Sequence, residues 1–126
     1  MAVLTDDMKQ LIKEQRAAYV ATATKDGIPN VSIKGSIQVI GEDTLAFACI
    51  WSDHTIKNLE ANPNVAIAVS DTKAKSLQIR GKAVLEKSGA LYDSMSEALA
   101  KMKFPKPKCV AKITVTEAYL WPPAKA

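Results

Sequence analysis

The chain has 126 residues, of which 48% are hydrophobic and 24% charged, so we expect one domain spanning residues 1–126. Its two cysteines form no CxxC motif and it has a single histidine, which excludes a structural zinc site and a disulfide framework. No apolar stretch reaches the length of a membrane span, and the first residues lack a signal-peptide pattern. We therefore expect a cytoplasmic protein that makes no contact with membranes and holds no metal.

The net charge of +4 arises in one short, proline-containing segment. Five lysines lie there: Lys101, Lys103, Lys106, Lys108 and Lys112. The segment has no arginine and one aromatic residue, Phe104, whereas arginine and stacking aromatics are the informative signs of nucleic-acid binding. A solvated linker is the favoured interpretation, and binding of single-stranded nucleic acid is a minor alternative.

The first part of the chain predicts one helix and then three strands. The helix runs from Thr5 to Arg16, because Met8, Leu11 and Ile12 recur at helical spacing behind a capping threonine. Tight turns at residues 25–27 and 41–43 then separate the strands. The strands are Ala18–Thr24, Ile28–Ile40 and Thr44–Trp51.

The second strand alternates in polarity, which predicts two distinct faces. Its apolar face consists of Val31, Ile33, Ile37 and Val39. Its polar face consists of Ser32, Lys34, Ser36 and Gln38. Gly35 interrupts the strand and predicts a bulge, a sharp bend or a ligand pressed against the backbone. The third strand is apolar without alternation, so it is buried on both faces or lines a pocket.

The second part of the chain predicts two helices and three more strands. They are a helix from Ser52 to Pro63, strands Val65–Ser70 and Leu77–Leu85, a helix from Gly89 to Met102, and a strand from Cys109 to Val115 that extends towards Trp121. Six strands joined mostly by turns too short for parallel crossovers indicate an antiparallel barrel or sandwich.

Familiar enzyme motifs are absent, so a cofactor is expected to bring any chemistry and no catalytic residue is assigned. The informative segment is the helix after Trp51, where Thr55 and Asn58 share one face near the N-terminus. A phosphate placed there would meet these two side chains, His54 and the cation of Lys34. In the alternative interpretation Ser52 or Asp53 caps the helix, His54 is solvated and nothing binds.

Four segments carry a family resemblance when they are taken in order: DGIPNVSIKGS (26–36), TLAFA (44–48), HTIKNLEANPNVA (54–66) and IRGKA (79–83). Between Thr5 and Trp121 the chain resembles the pyridoxamine 5′-phosphate oxidase-like family of FMN-binding split barrels. The resemblance implies a mainly β fold with short helices, a six-stranded antiparallel split β-barrel of Greek-key type. It also implies a homodimer that binds FMN at the subunit interface.

The resemblance further implies which residues meet the cofactor. The phosphate would lie at His54, Thr55 and Asn58. The flavin ring would lie between the backbone of Ser32, Ile33, Lys34 and Gly35 on one side and that of Ala48 and Cys49 on the other. Tyr119 or Trp121 of the partner subunit would complete the site or belong to the interface core. Where many relatives carry Arg or Lys, this chain has Asp53 and His54, which predicts weaker and more pH-dependent phosphate binding.

The function expected from this resemblance is that of an FMN-binding flavoprotein, an oxidoreductase or electron-transfer protein with a small-molecule redox partner or substrate. Pyridoxamine phosphate oxidation is not carried over, because the longer oxidases have a C-terminal substrate-binding segment that finds no match here. The alternative is a split barrel that binds or stores a flavin, a deazaflavin or haem without turnover. In that case His54 is the only imidazole available to haem iron.

Overall fold

The computed structural model describes residues 2–123, which form three helices and seven strands. The helices are α1 (Asp6–Gln15), α2 (Asp53–Ala61) and α3 (Ala90–Lys101). The strands are β1 (Ala18–Ala23), β2 (Pro29–Lys34), β3 (Gln38–Val39), β4 (Thr44–Cys49), β5 (Asn64–Ser70), β6 (Ser76–Glu86) and β7 (Cys109–Trp121). Within this part of the chain, no helix combines the length and apolarity needed to cross a membrane.

The strands form one curled antiparallel sheet in the order β2-β1-β5-β6-β7-β4-β3. The mainly β, antiparallel prediction is confirmed, but the count of six strands is wrong. The chain turns at Gly35 and Ser36, which divides the single strand predicted over residues 28–40 into β2 and β3. These two short strands then form the opposite edges of the sheet.

Strand β4 lies between two apolar clusters, one on each face of the sheet. Leu45, Phe47 and Cys49 belong to the main core, which also contains the buried face of α1. Ala46 and Ala48 point the other way and pack against α3. Burial on both faces, one of the two alternatives for this strand, is confirmed. Helix α1 lies on the face of the main core and contacts β3 and β5, whereas α3 packs against β4 and β7 on the opposite face.

Strand β2 has the two distinct faces that the sequence predicts, and its apolar face is the outward one. Val31 and Ile33 are each 65% exposed, whereas Lys34 is buried at 8% exposure. The reason is that the inner faces of β1 and β2 receive helix α2, whose facing side chains are polar. Hydrogen bonds therefore join α2 to β1 and β2 beside the core residue Leu59, and the apolar side of β2 faces outwards.

Gly81 permits the long strands β6 and β7 to approach each other. The register of their pairing shifts between Arg80 and Gly81. A Cβ at position 81 would lie 2.5 Å from the backbone oxygen of Thr114 and 2.9 Å from a methyl group of Ile113. Only glycine fits there without displacing backbone.

Candidate functional site

An open cleft of about 1100 Å³ lies at the β3 edge of the sheet. Its floor is the turn between β2 and β3 together with the end of β4 and the following residues as far as Ser52. Side chains of α1 and α3 also line it. Cavities of about 300–1,000 Å³ hold drug-sized ligands, so this cleft has room for an organic cofactor.

Lys34 supplies a buried positive charge to this cleft. Its Nζ donates a hydrogen bond to the Oγ of Ser52 and lies 5.9 Å from the centre of the Phe47 ring. In the part of the chain that the structure describes, no carboxylate forms an ion pair with it. Burial lowers the pKa of Lys34 below that of an exposed lysine, because the ammonium group loses hydration. A buried cation without a counter-ion favours an anionic ligand.

The N-terminus of α2 lies beside this lysine. Ser52 is the N-cap residue, but its side chain makes no capping hydrogen bond and instead accepts from Lys34. Asp53 forms an ion pair with Lys108, and that contact lowers the pKa of its carboxyl group. Neither side chain therefore caps the first-turn amide groups, which remain donors at the positive end of the helix.

Thr55 and Asn58 face the sheet, where each already has a partner. The hydroxyl groups of Thr55 and Ser32 lie 3.2 Å apart, and the Asn58 amide donates to the Thr22 hydroxyl at 3.0 Å. Thr55 is 1% exposed and Asn58 8%. Together with the contact between Lys34 and Ser52, these pairs form three polar contacts from α2 and its cap residue to β1 and β2.

The structure brings together part of the predicted cofactor site. Four of the ten predicted residues line the cleft: Ile33, Lys34, Gly35 and Ala48. Ser32 and Thr55 are hydrogen-bonded to each other and do not line the cleft. Asn58 does not line it either and contacts β1 through Thr22. His54 is exposed at the start of α2. Trp121 is at the far end of β7, opposite Ser76, and does not reach the cleft of its own chain.

The tenth predicted residue, Cys49, points into the core. It lies opposite Cys109 in the pairing of β4 with β7, and both thiols are free and buried. The hydrogen bond with Cys109, followed by burial, raises the pKa of Cys49, so its thiol stays protonated at neutral pH. Any contact of Cys49 with a ligand in the cleft would have to be made by its backbone.

Several lining residues were not predicted as site residues. Ser36 accepts a hydrogen bond from the Ala48 amide at 2.9 Å, which fixes the turn of the floor against β4. Trp51 is 76% exposed and makes an edge contact with Phe104, with ring centres 6.3 Å apart. Three cations also line the cleft, namely Lys9 and Lys13 of α1 and the residue that ends this helix, Arg16. The four-residue spacing of Lys9 and Lys13 was visible in the sequence as one helical face, whereas Arg16 lies just beyond the end of the helix.

Comparison with known proteins agrees with this architecture. Residues 4–122 match the family described as Pyridoxamine 5′-phosphate oxidase. The chain belongs to this family. An uncharacterized protein of Methanocaldococcus jannaschii is 33% identical over 120 residues, which cover 92% of this chain and 79% of that protein. The crystal structure of HupZ from Group A Streptococcus has a TM-score of 0.87 at 28% identity and covers 98% of both chains.

Structures at lower identity share the fold. An FMN-binding protein from Syntrophomonas wolfei has a TM-score of 0.79 at 17% identity, covering 93% of this chain and 85% of its own. HutZ, the heme storage protein of Vibrio cholerae, has a TM-score of 0.71 at 18% identity and covers 95% of both chains. An F420 reductase has a TM-score of 0.70 at 21% identity, covering 92% of this chain and 98% of its own.

Proposed function

We propose that the protein is a cytoplasmic, homodimeric FMN-binding flavoprotein that acts as an oxidoreductase or electron carrier towards a small molecule. Membership of the pyridoxamine 5′-phosphate oxidase family and the shared fold of an FMN-binding protein support the cofactor. Two free, buried thiols are typical of a reducing compartment and support the location.

The observation that carries this proposal is the buried charge of Lys34 at the uncapped end of α2. A dianionic phosphate would replace the hydration that Lys34 has lost and would accept hydrogen bonds from Ser52 and the first-turn amides. This arrangement gives the phosphate a binding site without the Arg or Lys that many relatives have near Asp53 and His54. His54 is exposed at the start of the same helix.

The rest of the cleft suits a flat ring system. The flavin ring would lie against the backbone at Gly35 and Ala48, where a Cβ at position 35 would meet no atom within 4 Å. FMN, when it is bound, supplies hydride or electron transfer, and the protein supplies position and electrostatics. Thr55 and Asn58 would position the cofactor site without touching the ligand, because their contacts with Ser32 and Thr22 fix the first turns of α2 against the sheet.

A homodimer is supported by the outer face of the sheet. Tyr19 and Ile33 are paired neighbours and are 52% and 65% exposed, and Val31 on the same strand is 65% exposed. Tyr119 and Trp121 are about half exposed on β7. Exposed apolar patches of this kind mark interaction surfaces. In a dimer they would be covered, and Trp121 of the partner subunit would complete the cofactor site.

The test is an absorption spectrum of the purified protein, followed by titration of the apoprotein with FMN while flavin fluorescence is recorded. We expect flavin absorption bands and saturable binding of one FMN per chain. A colourless protein that binds no FMN would refute the cofactor assignment. Oxidation of reduced nicotinamide in air by the FMN-loaded protein would establish turnover, and its absence would favour electron carriage.

The second candidate is binding or storage of a ligand without turnover, the ligand being a flavin, a deazaflavin or haem. The shared fold of the heme storage protein and of the F420 reductase favours it. Haem would give a Soret band that His54→Ala removes, since His54 is the only histidine. A deazaflavin would instead bind with its own absorption spectrum and displace FMN.

A further inference from the structure

The cleft extends well beyond the floor residues that the proposed cofactor needs. Its remaining lining comes from α1 and α3, which cover opposite faces of the sheet at the β3 edge. The volume of about 1100 Å³ exceeds what one drug-sized ligand commonly occupies. The part of the cleft between the two helices is lined by residues that the proposed cofactor does not use.

The α1 side of this extension is cationic. Lys9, Lys13 and Arg16 line it, four and three residues apart, together with one carboxylate, Asp6. None of the three cations forms an ion pair with another residue in the range 2–123. Apart from Lys34, which the phosphate of FMN would use, three positive charges and one negative charge surround the space. Such a field attracts an anion.

The α3 side is apolar. It consists of Met95, Ala98, Leu99, Met102 and Phe104, with Trp51 beside them. Met102 is 65% and Phe104 40% exposed, so this surface is covered by nothing within the described chain. Methionine and aromatic side chains adapt to apolar ligands of varied shape. No charged side chain of α3 lines the cleft.

We propose that this extension binds an amphipathic organic anion, with its acid group at Lys9, Lys13 and Arg16 and its apolar body against α3. Binding itself depends only on the two walls. We further infer, and this step rests on the proposed function, that such an anion is the class of substrate that meets the flavin.

The test uses two anionic probes on the full chain saturated with FMN: 1-anilinonaphthalene-8-sulfonate, followed by fluorescence, and decanoate as its competitor. We expect saturable binding of the dye, displacement by decanoate and much weaker displacement by decan-1-ol. The triple variant Lys9→Gln, Lys13→Gln, Arg16→Gln should raise the dye's Kd about tenfold. A matched triple variant at exposed lysines elsewhere, Lys25→Gln, Lys73→Gln, Lys106→Gln, should leave it unchanged.

A second variant tests the apolar wall without changing charge. Ala98 is exposed, so Ala98→Trp fills the extension while the fold is kept, and it should abolish dye binding. Equal binding by both triple variants, or displacement by decan-1-ol as strong as by decanoate, would overturn the proposal. The proposal would also be overturned if the wild type bound no dye and Ala98→Trp changed the oligomeric state. That result would show that a second copy covers the apolar wall.

Failure of this proposal and failure of the cofactor assignment give different results. If FMN does not bind, the same dye titrations are performed on the apoprotein, and a charge-dependent Kd there still supports the anion site. If FMN binds but the triple variant Lys9→Gln, Lys13→Gln, Arg16→Gln leaves the Kd of the dye unchanged, the cofactor assignment stands and the anion site is refuted.

Discussion

Lys34 shows how one residue acquires a role through burial. On a solvated strand face it would be an ordinary surface lysine. In the structure it is 8% exposed, donates to Ser52 and has no carboxylate partner among residues 2–123. The resulting loss of hydration lowers its pKa and makes the charge dependent on a ligand.

This lowered pKa makes FMN binding pH-dependent in a defined direction. The phosphate binds the protonated amine, so FMN affinity is highest while Lys34 is charged and falls as the pH rises through the lowered pKa. Because bound phosphate favours the charged form, FMN binding is accompanied by proton uptake there. Riboflavin has no phosphate, so its affinity should stay flat over the same alkaline range. Parallel pH profiles of Kd for the two flavins would contradict this.

A substitution at Gly35 distinguishes an effect on protein stability from an effect on flavin binding. No atom lies within 4 Å of a Cβ added there, and its backbone is not in the left-handed region. Gly35→Ala should therefore change the free energy of unfolding by less than about 1 kcal/mol. The added methyl group should nevertheless weaken FMN and riboflavin alike, because it stands where the ring approaches the backbone. Unchanged affinity for both flavins would remove Gly35 from the site.

At the scale of elements, α2 is held on the sheet by buried hydrogen bonds in addition to the apolar contact of Leu59 with the main core. Asn58 donates to Thr22 and Thr55 pairs with Ser32, all in a contact from which water is largely excluded. A buried hydrogen bond contributes about 1 kcal/mol, but a buried group left without its partner costs about 1–3 kcal/mol. The placement of α2, and with it the proposed phosphate site at Lys34, depends on these pairs.

A double-mutant cycle measures this dependence. Thr22→Val and Asn58→Leu should each lower the free energy of unfolding by about 1–3 kcal/mol, because each leaves one buried partner unsatisfied. The double variant should lose less than the sum of the two, with a coupling of about 0.5–3 kcal/mol. Urea unfolding gives all four values. Asn64→Ala, which removes the exposed contact with Lys82, is the control and should change stability by less than about 0.5 kcal/mol.

The contact between α2 and β2 also explains why the sequence does not indicate which face of β2 is buried. Alternation correctly predicts that β2 has one apolar and one polar face, but it does not say which face is inside. Val31 and Ile33 face outwards because the inner position is taken by polar side chains of α2. That pairing joins residues 23 positions apart in the chain and has no local signal. By contrast, the Thr5 cap of α1 was predicted from local pattern, and the two-sided burial of β4 was one of the two alternatives that its apolar run predicted.

In the candidate site, too, residues with a local sequence signal were predicted and those brought together by tertiary packing were not. Motif resemblance indicated Lys34, Gly35 and Ala48, which line the cleft. The lining by α1 and α3 was missed, because it arises from the packing of two helices on opposite faces of one strand. Gly35 was predicted to mark a break, and the turn there is observed, but strand periodicity alone gave no reason to place β3 at the other edge of the sheet.

At the scale of the whole molecule, the outward apolar face of β2 and β1 predicts self-association. Val31→Asp places a charge in this face and should convert a dimer into a monomer of 13.6 kDa, measured by light scattering after size-exclusion chromatography. Val84 is a matched control, since it is 63% exposed against 65% for Val31 but lies on β6. Val84→Asp should stay dimeric. A wild-type protein that is monomeric at micromolar concentration would contradict the dimer.

In the proposed complex, the buried lysine and the end of α2 bind the phosphate of FMN. The decisive measurement is the Kd of FMN and of riboflavin for the wild type, Lys34→Met and the exposed control Lys25→Met. We predict that the wild type prefers FMN, that Lys34→Met weakens FMN about 10- to 150-fold while riboflavin changes little, and that Lys25→Met matches the wild type. Equal affinity of the wild type for both flavins, or equal losses for both in Lys34→Met, would contradict the claim.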